Sequence, residues 1–384
     1  MAYSFYSLLT IDNTKVSADH TDFPVLVQGT FDGTAGIADI RTLANGGNVR
    51  NTDATGGVTG AVTVPADFVF SPNDDGSSPY SFEILSYSAT TGEITAYVKI
   101  PTMDASDDLV FYMAYGDVAV VVSQEDIANV WTSFEAVYHL NNQLKDSSGN
   151  QADLSILSTP TGSATSGMIK GYYEFTGGGA DGLYIDSAPV GAFPCTMEAL
   201  VRCAATTAQN RPTWTGDKDD PDEWAELLVQ SDNNVEAHAY DGSSGAATAT
   251  ANIADATWAY LAGIFIGTTS RNAYIDGGNK GTNASAVADA WATYDRMTVG
   301  YRGDSSPQYT NDDMRVEEVR YSALNLGDDW IATTQEQWDS TTFLSFGAET
   351  ALGTYVAIPV GELTITGYAP TITTTDHHKV MAEL

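Results

Sequence analysis

Ser81-Phe82-Glu83-Ile84-Leu85-Ser86-Tyr87 runs through Ala89-Thr90-Thr91-Gly92 into Glu93-Ile94-Thr95-Ala96-Tyr97-Val98-Lys99-Ile100. In the second arm Ile94, Ala96, Val98 and Ile100 alternate with Thr95, Tyr97 and Lys99. Successive side chains of a strand point to opposite faces, so this is a β-hairpin with one apolar and one wet side. The same period of two recurs outward from it, at 23–30 and 109–115. Beyond residue 131 it predicts strands at 136–140, 172–175, 182–185, 196–203, 225–230, 235–240, 258–266, 271–275, 297–301 and 314–321. Gly-rich and Asp-rich turns separate them. Helical spacing is scarce. Ser123-Gln124-Glu125-Asp126 has the pattern of a helix start leading to Ile127 and Trp131, and 329–338 predicts a second helix. Many short strands with turn punctuation give an all-β chain of two tandem antiparallel β-sandwiches, with a short β-rich C-terminal segment. The divisions fall at 1–122, a linker at 123–130, 131–349 and 350–384.

The 384 residues carry 16 Lys and Arg against 50 Asp and Glu, a formal charge of −34. A nucleic-acid partner needs a basic face, and anionic lipid repels such a chain, so neither nucleic acid nor membrane is an expected partner. No apolar run reaches the roughly 18–20 residues of a membrane span. The opening Met1-Ala2-Tyr3-Ser4-Phe5 shows no basic or apolar leader pattern, so a signal peptide is not expected. Cys195 and Cys203 share the apolar side of one alternating stretch with Met197, Ala199 and Val201. Eight residues along a strand span about 26 Å, against the roughly 7 Å that a disulfide allows. Both are expected to be free, buried thiols, as in a reducing compartment.

Three resemblances follow from particular motifs. Leu9-Thr10-Ile11-Asp12-Asn13-Thr14-Lys15-Val16, Thr21–Val27, Gly46-Gly47-Asn48-Val49-Arg50-Asn51, Gly92–Pro101 and Phe111–Gly116 occur in order. Together they resemble a β-sandwich domain of unknown function that commonly precedes a laminin-G-like domain; Asn51 stands where an aromatic is usual. Ala136-Val137-Tyr138-His139-Leu140-Asn141, Asp146-Ser147-Ser148-Gly149-Asn150, Asn272–Gly277, Val316–Ser322 and Phe346-Gly347-Ala348-Glu349 are similar to a laminin-G, or concanavalin A-like, jelly roll. That resemblance implies two antiparallel sheets, often a structural calcium, and frequently glycan or protein binding without catalysis. The pattern of 358–372 is similar to segments of bacteriophage structural proteins.

Calcium takes six to eight oxygens. Asp146 and Asn150 in a tight turn, with Asp313 and Glu317 at the strand expected beside it, form a candidate Ca²⁺ site. The acidic run 217–223 is a second candidate. A glycan site needs an aromatic platform with polar neighbours at a rim, and Trp214, Trp224, Tyr240, Trp291 and Tyr309 are the candidates near loops. For catalysis, Glu317 and Glu318 are the best neighbouring acids, but alternation sends them to opposite faces. His139 is expected to be structural. No nucleophile elbow, zinc helix or phosphate loop is present, so no enzyme activity is expected. The reading is a noncatalytic bacteriophage virion protein (capsid decoration, head-fibre or tail-associated), assembled in the host cytoplasm and displayed on the virion surface. Its expected partners are other virion proteins, further copies of itself and a host-surface glycan. The alternative is an exported or cell-surface carbohydrate-binding adhesin.

Overall fold

A computed structural model describes residues 3–150, 152–176, 180–204, 209–287, 291–309 and 313–352. The chain is all-β, about 49% strand and 8% helix. The segment 350–384, expected to serve attachment, lies almost wholly outside the described residues, as does the phage-like pattern at 358–372.

The opening hairpin forms as read. Phe82–Tyr87 pairs antiparallel with Glu93–Met103, which pairs in turn with His20–Thr30, giving a three-stranded sheet. Ile94, Ala96, Val98 and Ile100 pack with Phe23, Val25, Phe68, Phe70, Phe111 and Met113. The last four belong to a four-stranded sheet in the order Leu344–Ala351, Phe5–Ile11, Leu109–Tyr115, Phe68–Ser71. The strand Leu344–Ala351 straddles the boundary drawn at 349 and completes the first sandwich, after the chain has passed through the second.

The second sandwich holds its core between a seven-stranded and an eight-stranded sheet. Strand Cys195–Cys203 lies centrally in the latter. Cys195, Met197, Ala199, Val201 and Cys203 all face the core, and both thiols are buried and outside any disulfide. Among the described residues no helix is long and apolar enough to cross a membrane. The expected helix forms at Gly327–Asp339, with Asp328 and Asp329 in its first turn, where the helix dipole favours acids. The expected helix after Ser123 is only a single 3-10 turn, Ile127–Asn129. The Ser123 hydroxyl donates to Glu125, whose carboxylate accepts the amides of Gly57 and Ile84 instead of capping a helix.

The expected wet side of the opening hairpin is not wet. Thr95 and Tyr97 are fully buried, because the outer face of the three-stranded sheet packs towards the second sandwich. Tyr97 meets Trp131 at 4.9 Å and stacks on His139 at 5.5 Å. Leu200, Tyr260, Ala262 and Ile264, from the outer face of the eight-stranded sheet, belong to the same core cluster as the first sandwich. The helix seals one flank: Gln337 Oε1 accepts the Leu26 amide at 2.8 Å, and Thr333 meets His20 at 2.9 Å. Leu26 lies on an edge strand, so Gln337 covers an amide that would otherwise invite another strand.

At the centre of this contact is a buried charge cluster. His139 bonds Glu318 at 2.7 Å through Nδ1 and Glu83 at 3.2 Å through Nε2. Trp131 Nε1 and the Ser147 hydroxyl donate to the same Glu83 carboxylate. Arg320 donates to Glu318 at 3.3 Å and to the Tyr97 hydroxyl at 2.8 Å. Burial alone would lower the His139 pKa, but Glu318 and Glu83 outweigh it and lift it from 6.5 to about 10. A raised histidine stabilises fully below its unfolded value and loses that contribution as pH climbs towards the folded value. Stability is therefore expected to decline between about pH 6.5 and about pH 10, and His139→Gln to flatten that decline. Denaturant midpoints across this window check it; equal slopes for the two proteins would refute it.

Candidate functional site

The outer face of the seven-stranded sheet carries an aromatic and charged row. Strand Glu223–Val229 pairs with Asn234–Asp241 so that Trp224 lies opposite Tyr240, Glu226 opposite His238 and Leu228 opposite Glu236. The alternate residues Ala225, Leu227, Val229, Val235, Ala237 and Ala239 face the core. On the other side, Asn210–Gly216 brings Trp214 opposite Glu226, and Arg296–Val299 brings Thr298 opposite Trp214. The short pair Tyr301–Arg302 and Gln308–Tyr309 follows directly. Gly303 lies against Thr298 and Trp214, where a Cβ would come within 2.5 Å of the Thr298 methyl, so this loop roofs part of the face. Trp224 and Tyr240 stack at 5.6 Å and 14°. The Arg302 guanidinium lies 5.4 Å over Trp224, and His238 meets that ring edge-on at 4.8 Å. Tyr240 stays half-buried at the open margin.

Charge on this face is paired and enclosed. Glu226 is 1% exposed and lies 3.3 Å from Arg211; Asp304 lies 2.6 Å from Arg302. Burial pushes the Glu226 carboxyl up to about 7 against the pull of Arg211 and Arg302. His238 is pushed down to about 4 by burial and by Arg271, Arg211 and Arg302, so it is neutral at pH 7. Its Nε2 bonds the Ser244 hydroxyl at 2.8 Å. A neutral imidazole, a hydroxyl and a flat aromatic pair suit an uncharged hydroxylated ligand. Bond hydrolysis between two acids would need both accessible to substrate, and Glu226 and Asp304 are each closed off by an arginine.

Residues 177–332 match the Laminin_G_3 family model, the concanavalin A-like lectin/glucanases superfamily. The aromatic row falls inside this concanavalin A-like domain. A comparison with curated proteins finds none that matches. Among solved structures, domain 4 of AbnA, an extracellular GH43 arabinanase from Geobacillus stearothermophilus in complex with arabinotriose, is similar at 19% identity. It aligns with a TM-score of 0.45 over 52% of this chain and 97% of that one. The binding domain of botulinum neurotoxin DC in complex with SialylT is similar at 13% identity and TM-score 0.42, over 54% of this chain and 52% of its own. The receptor binding domain of the botulinum neurotoxin C/D mosaic serotype gives 11% and 0.40, over 53% and 51%. The chain thus spans about half the length of these neurotoxin domains.

Of the five aromatic candidates, Trp214, Trp224 and Tyr240 share the outer face of the concanavalin A-like domain, but Trp214 is fully buried under the loop and so is closed to a ligand, and of the three only Tyr240 keeps an open side. Tyr309 stacks on Tyr301 at 5.5 Å, in the loop over it. Trp291 does not join them. It is buried in the core against Phe193, Phe265 and Tyr294, because its 3-10 turn closes an end of the sandwich. Sequence reading missed Arg211, Glu226, His238, Arg302 and Asp304. The available signal was the spacing Trp224-x-Glu226 and His238-x-Tyr240, polar residues at period two inside apolar strands.

The four candidate calcium ligands do not form a shared cage. Asp146 accepts the amides of Val137, Ser148 and Ala152 and the Ser148 hydroxyl. Asn150 donates to the Glu135 carbonyl. Glu317 accepts the amides of Met168, Ile169 and Lys170, and burial lifts its pKa to about 7. Asp313 is exposed where its strand begins. Lone pairs already directed at N–H groups of two different loops do not suit one cation. In the acidic run, Asp217 and Asp219 come together with Asp295, but the Lys218 ammonium pairs with both Asp219 and Asp295.

Proposed function

We propose that the chain is a noncatalytic carbohydrate-binding protein whose concanavalin A-like domain holds a glycan on the outer face of its seven-stranded sheet. The observation that carries this reading is the parallel Trp224–Tyr240 pair, open at Tyr240 and bordered by neutral His238, Ser244 and Arg302. An apolar ring face next to donors and acceptors without free charge matches the two faces of a sugar. Glycan-array screening followed by titration tests it. The parent is expected to bind, and Tyr240→Ala to weaken binding about tenfold, the loss typical of an aromatic anchor. Binding unchanged by that substitution would refute it. The setting we favour is the surface of a bacteriophage virion, supported by the pattern at 358–372. Particles that incorporate the protein equally well without residues 353–384 would remove that segment's role in attachment, whereas the protein found on cells without any particle would favour the cell-surface adhesin.

A further inference from the structure

The sheet face that carries Trp224 and Tyr240 holds a second aromatic pair like it. Strand Gly182–Ile185 pairs with Arg296–Val299 so that Tyr184 lies opposite Thr298. Leu183 faces the core, so Gly182 and Tyr184 point to the outer side. A Cβ at Gly182 would come within 2.3 Å of the Tyr301 ring, so the missing side chain seats that ring on the sheet. Tyr309 stacks on Tyr301 at 5.5 Å and 22°, against 5.6 Å and 14° for Trp224 and Tyr240. Each pair has one closed ring, Tyr301 at 4% and Trp224 at 5% exposure, and one half-buried ring, Tyr309 or Tyr240. Each also has an arginine answered by an aspartate. Arg302 pairs with Asp304 beside Trp224. Arg296 pairs with Asp186 at 2.7 Å and lies 5.6 Å over Tyr184.

The second pair also carries unclaimed polar groups. The hydroxyls of Tyr184, Tyr301 and Tyr309 bond no other group among the described residues. Burial raises the Tyr301 pKa, and Tyr309 and Tyr184 add to the rise, so this phenol keeps its proton and both donates and accepts. Ring faces beside neutral hydroxyls, with both arginines already paired, suit an uncharged sugar at this end of the face too. Four strand spacings separate Gly182–Ile185 from Asn234–Asp241, roughly 19 Å at the usual distance between neighbouring strands. One sugar ring cannot touch both pairs. Between them residues 305–308 are exposed, while Trp214 and Glu226 beneath the loop are closed, so a ligand reaching both pairs crosses over the loop. We propose that Tyr309, with Tyr301 and Tyr184, forms a second subsite on this face, and that the ligand is a neutral oligosaccharide long enough to reach both pairs. This inference rests on the sheet-face reading above.

Titration calorimetry on the full chain tests it, with cello-, manno-, xylo- and chito-oligosaccharides from disaccharide to hexasaccharide as probes. In at least one series affinity is expected to rise about tenfold with length, the gain typical of a second aromatic anchor. Tyr309→Ala is expected to erase that rise, so that the hexasaccharide binds no better than the disaccharide. Tyr240→Ala is expected to weaken every length. A rise that survives Tyr309→Ala, or affinity independent of length in every series that binds, overturns this inference and leaves the sheet-face reading standing. Binding that ignores Tyr240→Ala at all lengths overturns that reading and this inference with it. If none of the four series binds, the proposed neutral oligosaccharide is the wrong class and the inference falls.

Discussion

Arg320→Met is expected to destabilise the protein by about 3–5 kcal/mol, the usual cost of removing one partner from a buried ion cluster. Arg320 is 1% exposed. Its guanidinium lies 5.0 Å from each of the Tyr97, Trp131 and Trp338 rings. It also faces Glu318 at 3.3 Å and Glu198 at 3.8 Å. Burial raises the Glu198 pKa, with Arg320 as the chief opposing influence, whereas Glu318 is held low by His139 and Arg320 in spite of burial. Removing the guanidinium leaves Glu198 with no cation and Glu318 with His139 alone. Methionine roughly preserves the stem volume, so the loss is electrostatic more than a cavity. Chemical denaturation checks the magnitude. Adding Glu318→Gln and Glu198→Gln to Arg320→Met is expected to restore much of the loss, since no stranded charge then remains. A loss below about 1 kcal/mol for the single substitution would show that the cluster does not hold the sandwiches together.

This cluster also marks where sequence reasoning stops. Period two places Cys195, Met197, Ala199, Val201 and Cys203 correctly, because one sheet face decides their burial. It misplaces Thr95 and Tyr97, because what covers them arrives from the second sandwich, at His139 and Arg320, and not from their own hairpin. It also misplaces Glu317. Leu200 pairs with Glu318 while Val201 pairs with Val316, so Glu317 is the extra residue of a β-bulge. Val316 and Val319 then both face the inner core, and Glu317 and Glu318 both lie on the outer side instead of on opposite faces. Strands such as Ser244–Asn252 and Gly278–Asn283 were invisible because their side chains are small or polar; backbone pairing alone defines them. The aromatic row was legible as single residues but not as a site. Its charged members belong to strands whose register sets Glu226 beside Trp214 and His238, and alternation within one strand carries no register.

Ending the chain after Phe343 is expected to unfold the first sandwich, whereas ending it after Leu352 is expected to leave its melting transition in place. The difference is the strand Leu344–Ala351, which pairs along the whole of Phe5–Ile11. Phe346 meets Phe31 edge-on at 4.8 Å. The Glu349 carboxylate accepts the Asp39 amide at 2.9 Å, the Asn48 side chain at 3.0 Å and the Tyr115 hydroxyl at 2.5 Å. Ser7 donates to the Gly347 carbonyl at 2.8 Å. Losing an aromatic anchor costs about 3–5 kcal/mol and each charge-assisted hydrogen bond about 1.5–3 kcal/mol. Together these approach the entire 5–15 kcal/mol of a typical fold. The shorter chain would also bare the edge of Phe5–Ile11, so it is expected to aggregate. Because Thr95 and Tyr97 cover the second sandwich, loss of the first should expose the charge cluster to water as well. Limited proteolysis reads this directly. Cleavage within residues 5–115 of the shorter chain, and protection of the same residues in the longer one, is the expected result. Equal protection in both would mean that the strand merely decorates a sheet already complete without it.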